Sequence, residues 1–222
     1  MSIEIISTKD GSHSLLNTEL RETYHSVHGA LQESMHVFIK HGLVFFSVHH
    51  PTGRINVLEV GFGTGLNALL ALKFAQRTFR DVHFTSLEAS PLDRSIWERL
   101  NYGELLSDQH HFTMMHELPW GIEAALDPNF KLLKIHVMIQ NIVWDRETFD
   151  VVFFDAFAPG VQPEIWELPV IRKVQAAMKH DGVFVTYSSR GQLKRDLRSI
   201  SFQVESLPGP PGKKEMTRAL KI

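Results

Sequence analysis

The run Glu59-Val60-Gly61-Phe62-Gly63-Thr64-Gly65-Leu66-Asn67 sets three alternating glycines where an apolar stretch, INVLEV, gives way to a helical pattern. Glycines at such a junction let the backbone turn tightly and approach a ligand, with the free N–H groups of a helix N-terminus behind them. A dinucleotide fingerprint would need a third glycine where Leu66 stands, and a phosphate-cradling P-loop would need Lys-Ser/Thr where Asn67 and Ala68 follow. The spacing suits a ligand without phosphate, such as S-adenosylmethionine, lying over the loop. Glu88 ends a second apolar run, FTSLE, 27 residues after Gly61, where a carboxylate can accept hydrogen bonds from both hydroxyls of a ribose. Gln140 and Asn141, at the end of a third run, read either as partners of an adenine edge or as residues that start a turn.

Asp155 is delivered by the apolar run Phe153-Phe154 into Ala156-Phe157-Ala158-Pro159. In open α/β sheets ligands bind beyond the carboxyl ends of the strands. An Asp there can hold an amine at a methyl donor or take its proton directly or through water, with Phe157 limiting solvent. The plainer reading is a strand-terminal Asp capping a turn. Glu164 and Trp166 in QPEIW read as a substrate-side wall or as the start of a helix.

Elements that would position these residues follow from the periodicity. Short apolar runs at 55–60, 82–88, 134–139, 150–156 and 182–188 have the composition of parallel strands buried on both faces. Helical patterns lie between them at 66–79, 92–106, 119–125 and 163–178, with another opening at GQLKRDL. Phe202 to Pro208 and the final MTRALKI, joined by GPPGKKE, predict an antiparallel hairpin. Residues 1–50 read as an N-terminal appendage, helical over 15–40 and β-like over LVFFSVH at 43–49, and residues 51–222 as the Rossmann-like domain. The expected fold is α/β, a mostly parallel sheet ending in an antiparallel hairpin, the layout of class I methyltransferases.

The 222 residues are 43% hydrophobic and 22% charged, ordinary globular usage for one domain with appendages. The absence of cysteine removes disulfides, thiolate metal sites and cysteine nucleophiles, and fits a reducing compartment. No apolar run is long enough for a bilayer span, and the first residues lack the layout of a secretory signal, so a soluble cytoplasmic protein without membrane partners is expected. Thirteen histidines include no HExxH spacing, and no G-x-S-x-G elbow is present; metal and serine-hydrolase chemistry are not expected. Net charge is −2, but residues 179–222 carry nine Lys and Arg against four acids, leaving the remainder at −7. Such a basic end reads as a docking face for a polyanion or as a solvated surface.

Together DGSHSLLN, YHSVHGALQESMHVFI, LEVGFGTGLNALL, SLEASPL, FFDAFAPGVQPEIW, VTYSSRGQLKRDL and LPGPPGKKEM resemble the methyltransferase part of the MnmC family of tRNA wobble-uridine modification proteins and its stand-alone relatives. The resemblance implies S-adenosylmethionine-dependent N-methylation of 5-aminomethyl-(2-thio)uridine, giving the 5-methylaminomethyl product. It implies Glu59, Gly61, Gly63, Gly65 and Glu88 as cofactor contacts, with Gln140 and Asn141 beside them, and Asp155 as the residue acting on the amine. Phe157 and Pro159 fall on the substrate side, the segment of Tyr24, His25 and Ser34 closes over the ligands or packs as ordinary helix, and Arg190, Lys194, Arg195, Lys213 and Lys214 meet tRNA phosphates while the base is splayed into the pocket. Bifunctional members carry a flavin-dependent oxidase after this region; the sequence stops at Ile222, so FAD is not expected, and functional coupling to a separate oxidase or an aminomethyl-forming pathway is implied. The competing readings are a small-amine N-methyltransferase or aminopropyltransferase on the same fold, and a binding module that has lost its chemistry.

Overall fold

The computed structural model describes residues 3–222; the first two residues of the N-terminal appendage lie outside it. Strands β1 (Ile3–Ser7), β2 (His13–Asn17) and β3 (Glu22–Thr23) form a small antiparallel sheet in that order. The chain then enters a continuous helix, α1, of residues 30–49, made of Ala30–Ser34, a π-helical stretch Met35–Val44, and Phe45–His49. The order continues β4 (Ile55–Val60), α2 (Leu66–Thr78), β5 (Val82–Glu88), α3 (Arg94–Trp97), α4 (Tyr102–Leu105), α5 (Gln109–Glu117), β6 (Glu123–Asp127) and β7 (Phe130–His136). After it come β8 (Phe149–Phe154), α6 (Leu168–Ala177), β9 (Met178–Thr186), α7 (Gly191–Ser199), β10 (Phe202–Pro208) and β11 (Glu215–Lys221).

The main sheet has the order β10-β11-β9-β8-β4-β5-β7-β6. β4, β5, β7, β8 and β9 are mutually parallel, while β6, β10 and β11 pair antiparallel to their neighbours. The last strand, β11, inserts between β9 and β10, which the hairpin allows because no crossover is needed. β4 is central, with β5 on one side and β8 on the other, so the chain reverses its winding there and opens a crevice at the strand ends.

Alternation along the strands sorts the core into two layers. Val57, Phe84, Val151, Phe153 and Val185 face one side, covered by α1 and α2; Leu58, Val60, Val152, Phe154 and Phe184 face the other, covered by α6 and α7. Helices on both faces explain why the central strands are apolar throughout rather than alternating.

Five expectations are corrected. Residues 43–49 are helical, not a strand: Leu43 and Phe46 are buried against the first layer while Val48 is 70% exposed, and a Cβ on Gly42 would stand 2.9 Å from Val185 and 3.0 Å from Phe153. Close approach of a helix to the sheet thus overrides the β-propensity of Val and Phe. The predicted helix over 15–40 begins only at Ala30, because Leu15 is drawn into β2. At 119–125 the expected helix is replaced by an approach to β6, which pairs with β7 around a turn where Asn129 N–H donates to Asp127 Oδ1 at 2.9 Å. This hairpin starts β7 at Phe130, ahead of the 134–139 expected, so Gln140 and Asn141 fall in a single 3-10 turn, Ile139–Asn141, beyond the strand. The predicted helix over 92–106 is two short helices, the first capped by Asp93, whose carboxylate accepts from Ser95 N–H at 2.9 Å. Among the described residues no helix is long and apolar enough to cross a membrane.

Candidate active site

The glycine loop connects β4 to α2. The N–H groups of Gly61 and Phe62 both donate to the Leu87 carbonyl at 3.0 Å, tying the loop to the end of β5. Gly61 has φ +100°, and a Cβ there would lie 2.7 Å from the backbone oxygen of Asp155, so the ends of β4 and β8 touch through a position only glycine fits. Thr64, at the loop's far side, is held twice: His25 Nε2 lies 2.7 Å from its Oγ1, and His116 Nε2 donates to its carbonyl at 3.1 Å. Burial lowers both rings, His25 to about 4 and His116 to about 3, so each is neutral at pH 7.

Three carboxylates surround this loop in different roles. Glu88 accepts from Gly63 N–H at 2.9 Å and from Ser90 N–H at 2.8 Å, and its spare lone pairs face the cavity. Glu59 does not reach the cavity wall. It is fully buried behind the loop, accepting from Ser86 Oγ at 2.5 Å with its other oxygen unpartnered, and desolvation holds its pKa well above the usual carboxylate range. Asp155 follows β8, its N–H donating to Val60 O at 3.1 Å, and its Oδ2 accepts from Asn67 Nδ2 at 2.8 Å. Desolvation, and then the charge of Glu33, raise Asp155 to about 7, although the Asn67 hydrogen bond and Lys213 pull the other way. A carboxyl poised there can exchange a proton at neutral pH.

These residues border a cavity of about 400 Å³. Gly61, Gly63, Glu88 and Gln140 form one part of its lining and Asp155, Phe157, Tyr187 and Lys213 another, while Asn141 is exposed and outside it. Tyr24 crosses over Gly63 and meets Phe157 edge to face at 4.9 Å, so the N-terminal segment does cover the loop; Ser34 is buried away from the lining. Glu164 lines the cavity, whereas Trp166 is buried beneath it, donating to the Phe157 carbonyl at 2.8 Å and fixing that loop. Glu33 and Tyr187 carry no local sequence signal: Glu33 is bound by Lys213, 180 positions away, at 2.6 Å.

A second, shallower hollow of about 600 Å³ adjoins the first, sharing Glu22, Tyr187 and Lys213 and adding Pro159, Arg190 and Lys214. Three of the five predicted phosphate contacts are thereby brought together. Lys194 is not with them: it is buried, its ammonium bonded to Ser206 Oγ at 2.7 Å and Glu215 at 2.8 Å, because α7 lays its inner face on the C-terminal hairpin. Arg195 is exposed on α7, bonded to Gln192 at 2.7 Å, and borders neither hollow.

The donor set suits S-adenosylmethionine rather than a nucleotide phosphate. Gly61 and Gly63 border the cavity while a Cβ on Gly61, Gly63 or Gly65 would meet Asp155, Tyr24 or His116 instead, and Gly65 does not border it; the flanking charges at Glu88 and Asp155 are acidic, and the volume matches small-molecule pockets. Among the described residues no group of three or more His, Asp or Glu lies close enough to hold a metal ion.

Comparison with known proteins is consistent with this geometry. The profile of a family described as S-adenosyl-L-methionine-dependent methyltransferase matches residues 111–222. The "tRNA 5-methylaminomethyl-2-thiouridine biosynthesis bifunctional protein MnmC" of Hydrogenovibrio crunogenus is 29% identical over 212 residues, 90% of this chain and 31% of that protein. Its namesake from Acinetobacter baylyi is 29% identical over 228 residues, 95% of this chain and 36% of the relative. The chain therefore spans about a third of the length of these curated relatives. A crystal structure of MnmC2 from Aquifex aeolicus superposes with a TM-score of 0.80 at 26% identity, covering 98% of this chain and 69% of that one.

Proposed function

Because the chain belongs to the S-adenosyl-L-methionine-dependent methyltransferase family, we propose that it methylates the primary amine of 5-aminomethyl-(2-thio)uridine at the wobble position of tRNA. The continuity of the Asp155 cavity with the basic hollow carries this reading, since an RNA-borne amine needs a proton acceptor inside and phosphate contacts outside. The names of the curated relatives and of the Aquifex aeolicus structure support it.

When bound, S-adenosylmethionine supplies an electrophilic sulfonium methyl, which the amine takes with formation of N–CH3, release of a neutral thioether and loss of one proton. The protein's tasks are alignment and that proton. Gly61, Gly63 and Glu88 would hold the cofactor, the glycine backbone by close approach and Glu88 through ribose hydroxyls; Glu59, bonded to the buried Ser86, supports the loop and does not touch the cofactor, and Gln140 stands at the cavity edge for the adenine. Asp155, charged in part at neutral pH, accepts the amine proton and leaves the nitrogen pair free. Phe157, packed on Tyr24, keeps water from the nitrogen. Pro159, Arg190 and Lys214 face the RNA, while Lys194 serves the fold. The amine must come from another activity, an oxidase that removes a carboxymethyl group or a separate aminomethyl-forming route, and a tRNA substrate places the reaction in the cytoplasm.

The decisive experiment is transfer of labelled methyl from S-adenosylmethionine to tRNA isolated without its final wobble methylation, followed by nucleoside mass analysis. The expected product is 5-methylaminomethyl-(2-thio)uridine. Cofactor binding without transfer to that tRNA would overturn the substrate and leave small amines to be tried.

A further inference from the structure

Lys213 donates from Nζ to Glu33 Oε1 at 2.6 Å and lies 3.9 Å from the centroid of the Tyr187 ring. A carboxylate and an aromatic face around one ammonium form the general arrangement for recognising an alkylammonium. The site is rigid. Glu33 is 4% exposed, its second oxygen accepts from Ser26 N–H at 2.8 Å, and the Tyr187 hydroxyl donates to Ala156 O at 2.8 Å, next in sequence to Asp155. Glu33, Tyr187 and Asp155 all line the inner cavity, so the protein's own ammonium sits on the same cavity wall as Asp155.

Lys213 belongs equally to the outer basic hollow, beside Arg190 and Lys214. Its flexible four-carbon stem projects from the turn between β10 and β11, and the residue borders both regions. Resting on the tRNA reading above, we propose that Glu33 and the Tyr187 face are the subsite for the aminomethyl group of the substrate. Lys213 fills that subsite in the free enzyme, and a phosphate of the docked RNA draws it outward. The exchange keeps Glu33 paired while the substrate docks: Glu33 passes from Lys213 to the substrate ammonium while Lys213 passes from Glu33 to phosphate, and once the amine is neutral Glu33 keeps the Ser26 N–H. The bound ammonium then yields its proton to Asp155. RNA docking and amine binding are thus coupled, and a free nucleoside has to displace Lys213 unaided.

The test is calorimetric binding of the nucleoside 5-aminomethyluridine to the wild-type protein, with and without an anticodon stem-loop that is abasic at the wobble position. The stem-loop is expected to tighten nucleoside binding about tenfold, an ordinary coupling between two sites. Lys213→Met should bind the nucleoside tightly without RNA and gain nothing from the stem-loop, and Glu33→Gln should bind it poorly in either condition. Unchanged nucleoside affinity in wild type on adding the stem-loop overturns the exchange, whatever the stability of the variants. If the wild type still methylates aminomethyl tRNA, the proposed function survives that failure; if it does neither, the function itself falls.

Discussion

Asp155 combines two properties that pull against each other. A carboxyl raised from 3.8 to about 7 by desolvation, then by Glu33, is a usable base at neutral pH, yet holding it ionised in that place destabilises the fold. Its stabilising contribution is complete below pH 4 and is lost as pH rises through 7, since the folded state keeps the proton that the unfolded chain releases. Asp155→Asn should therefore melt higher than the wild type at pH 8 and alike at pH 4. The same variant should lose about 10²- to 10⁴-fold in kcat while S-adenosylmethionine affinity, measured by calorimetry, changes little. In the wild type kcat/KM should rise with pH through about 7, and the variant's residual rate should lack that limb. Near-normal turnover would remove Asp155 from the chemistry. Asp155 was legible because it terminates an apolar run; Glu33 was not, because its partner is 180 positions away.

Among elements, the glycine loop and the end of β8 form one unit through Gly61. Ala at position 61 would put a methyl 2.7 Å from the Asp155 carbonyl at φ +100°, which neither backbone can relieve without moving. Gly61→Ala should cost about 1–3 kcal/mol of stability and weaken cofactor binding together, measured by thermal unfolding and calorimetry. A variant of unchanged melting temperature and affinity would show that the two strand ends are independent. Strand β4, helix α2 and strand β5 fall where periodicity predicts them, because both their faces are set by local apolar spacing. Residues 43–49 and 119–125 do not, because burial of one helical face in α1 and pairing of β6 with β7 outweigh local preference.

For the whole molecule, the basic end of the chain resolves into unequal parts. Lys194, Arg218 and Lys221 are spent inside the fold, on Glu215, Glu205 and the Met178 carbonyl, whereas Arg190 and Lys214 remain exposed at the outer hollow. Arg190→Gln with Lys214→Gln should weaken tRNA binding and reduce the slope of log affinity against log salt by about 1.5, two phosphate contacts on a flexible RNA. Filter binding at several salt concentrations measures this, and an unchanged slope would put the RNA on another face. The same variant should leave S-adenosylmethionine affinity as it was, since neither residue borders the inner cavity.

The sequence by itself determined the α/β alternation, through the periodicity of successive runs, and the glycine loop, Glu88 and Asp155, since each of these three stands in a short local run at a strand end. Tertiary structure decided which of these residues share the cavity. It put Glu59 behind the loop and Glu88 in front, clamped Thr64 between two histidines from separate elements, and brought the Lys213 ammonium to Glu33. Contacts between such distant positions depend on which faces are buried together, and that is fixed only when the layers close on one core.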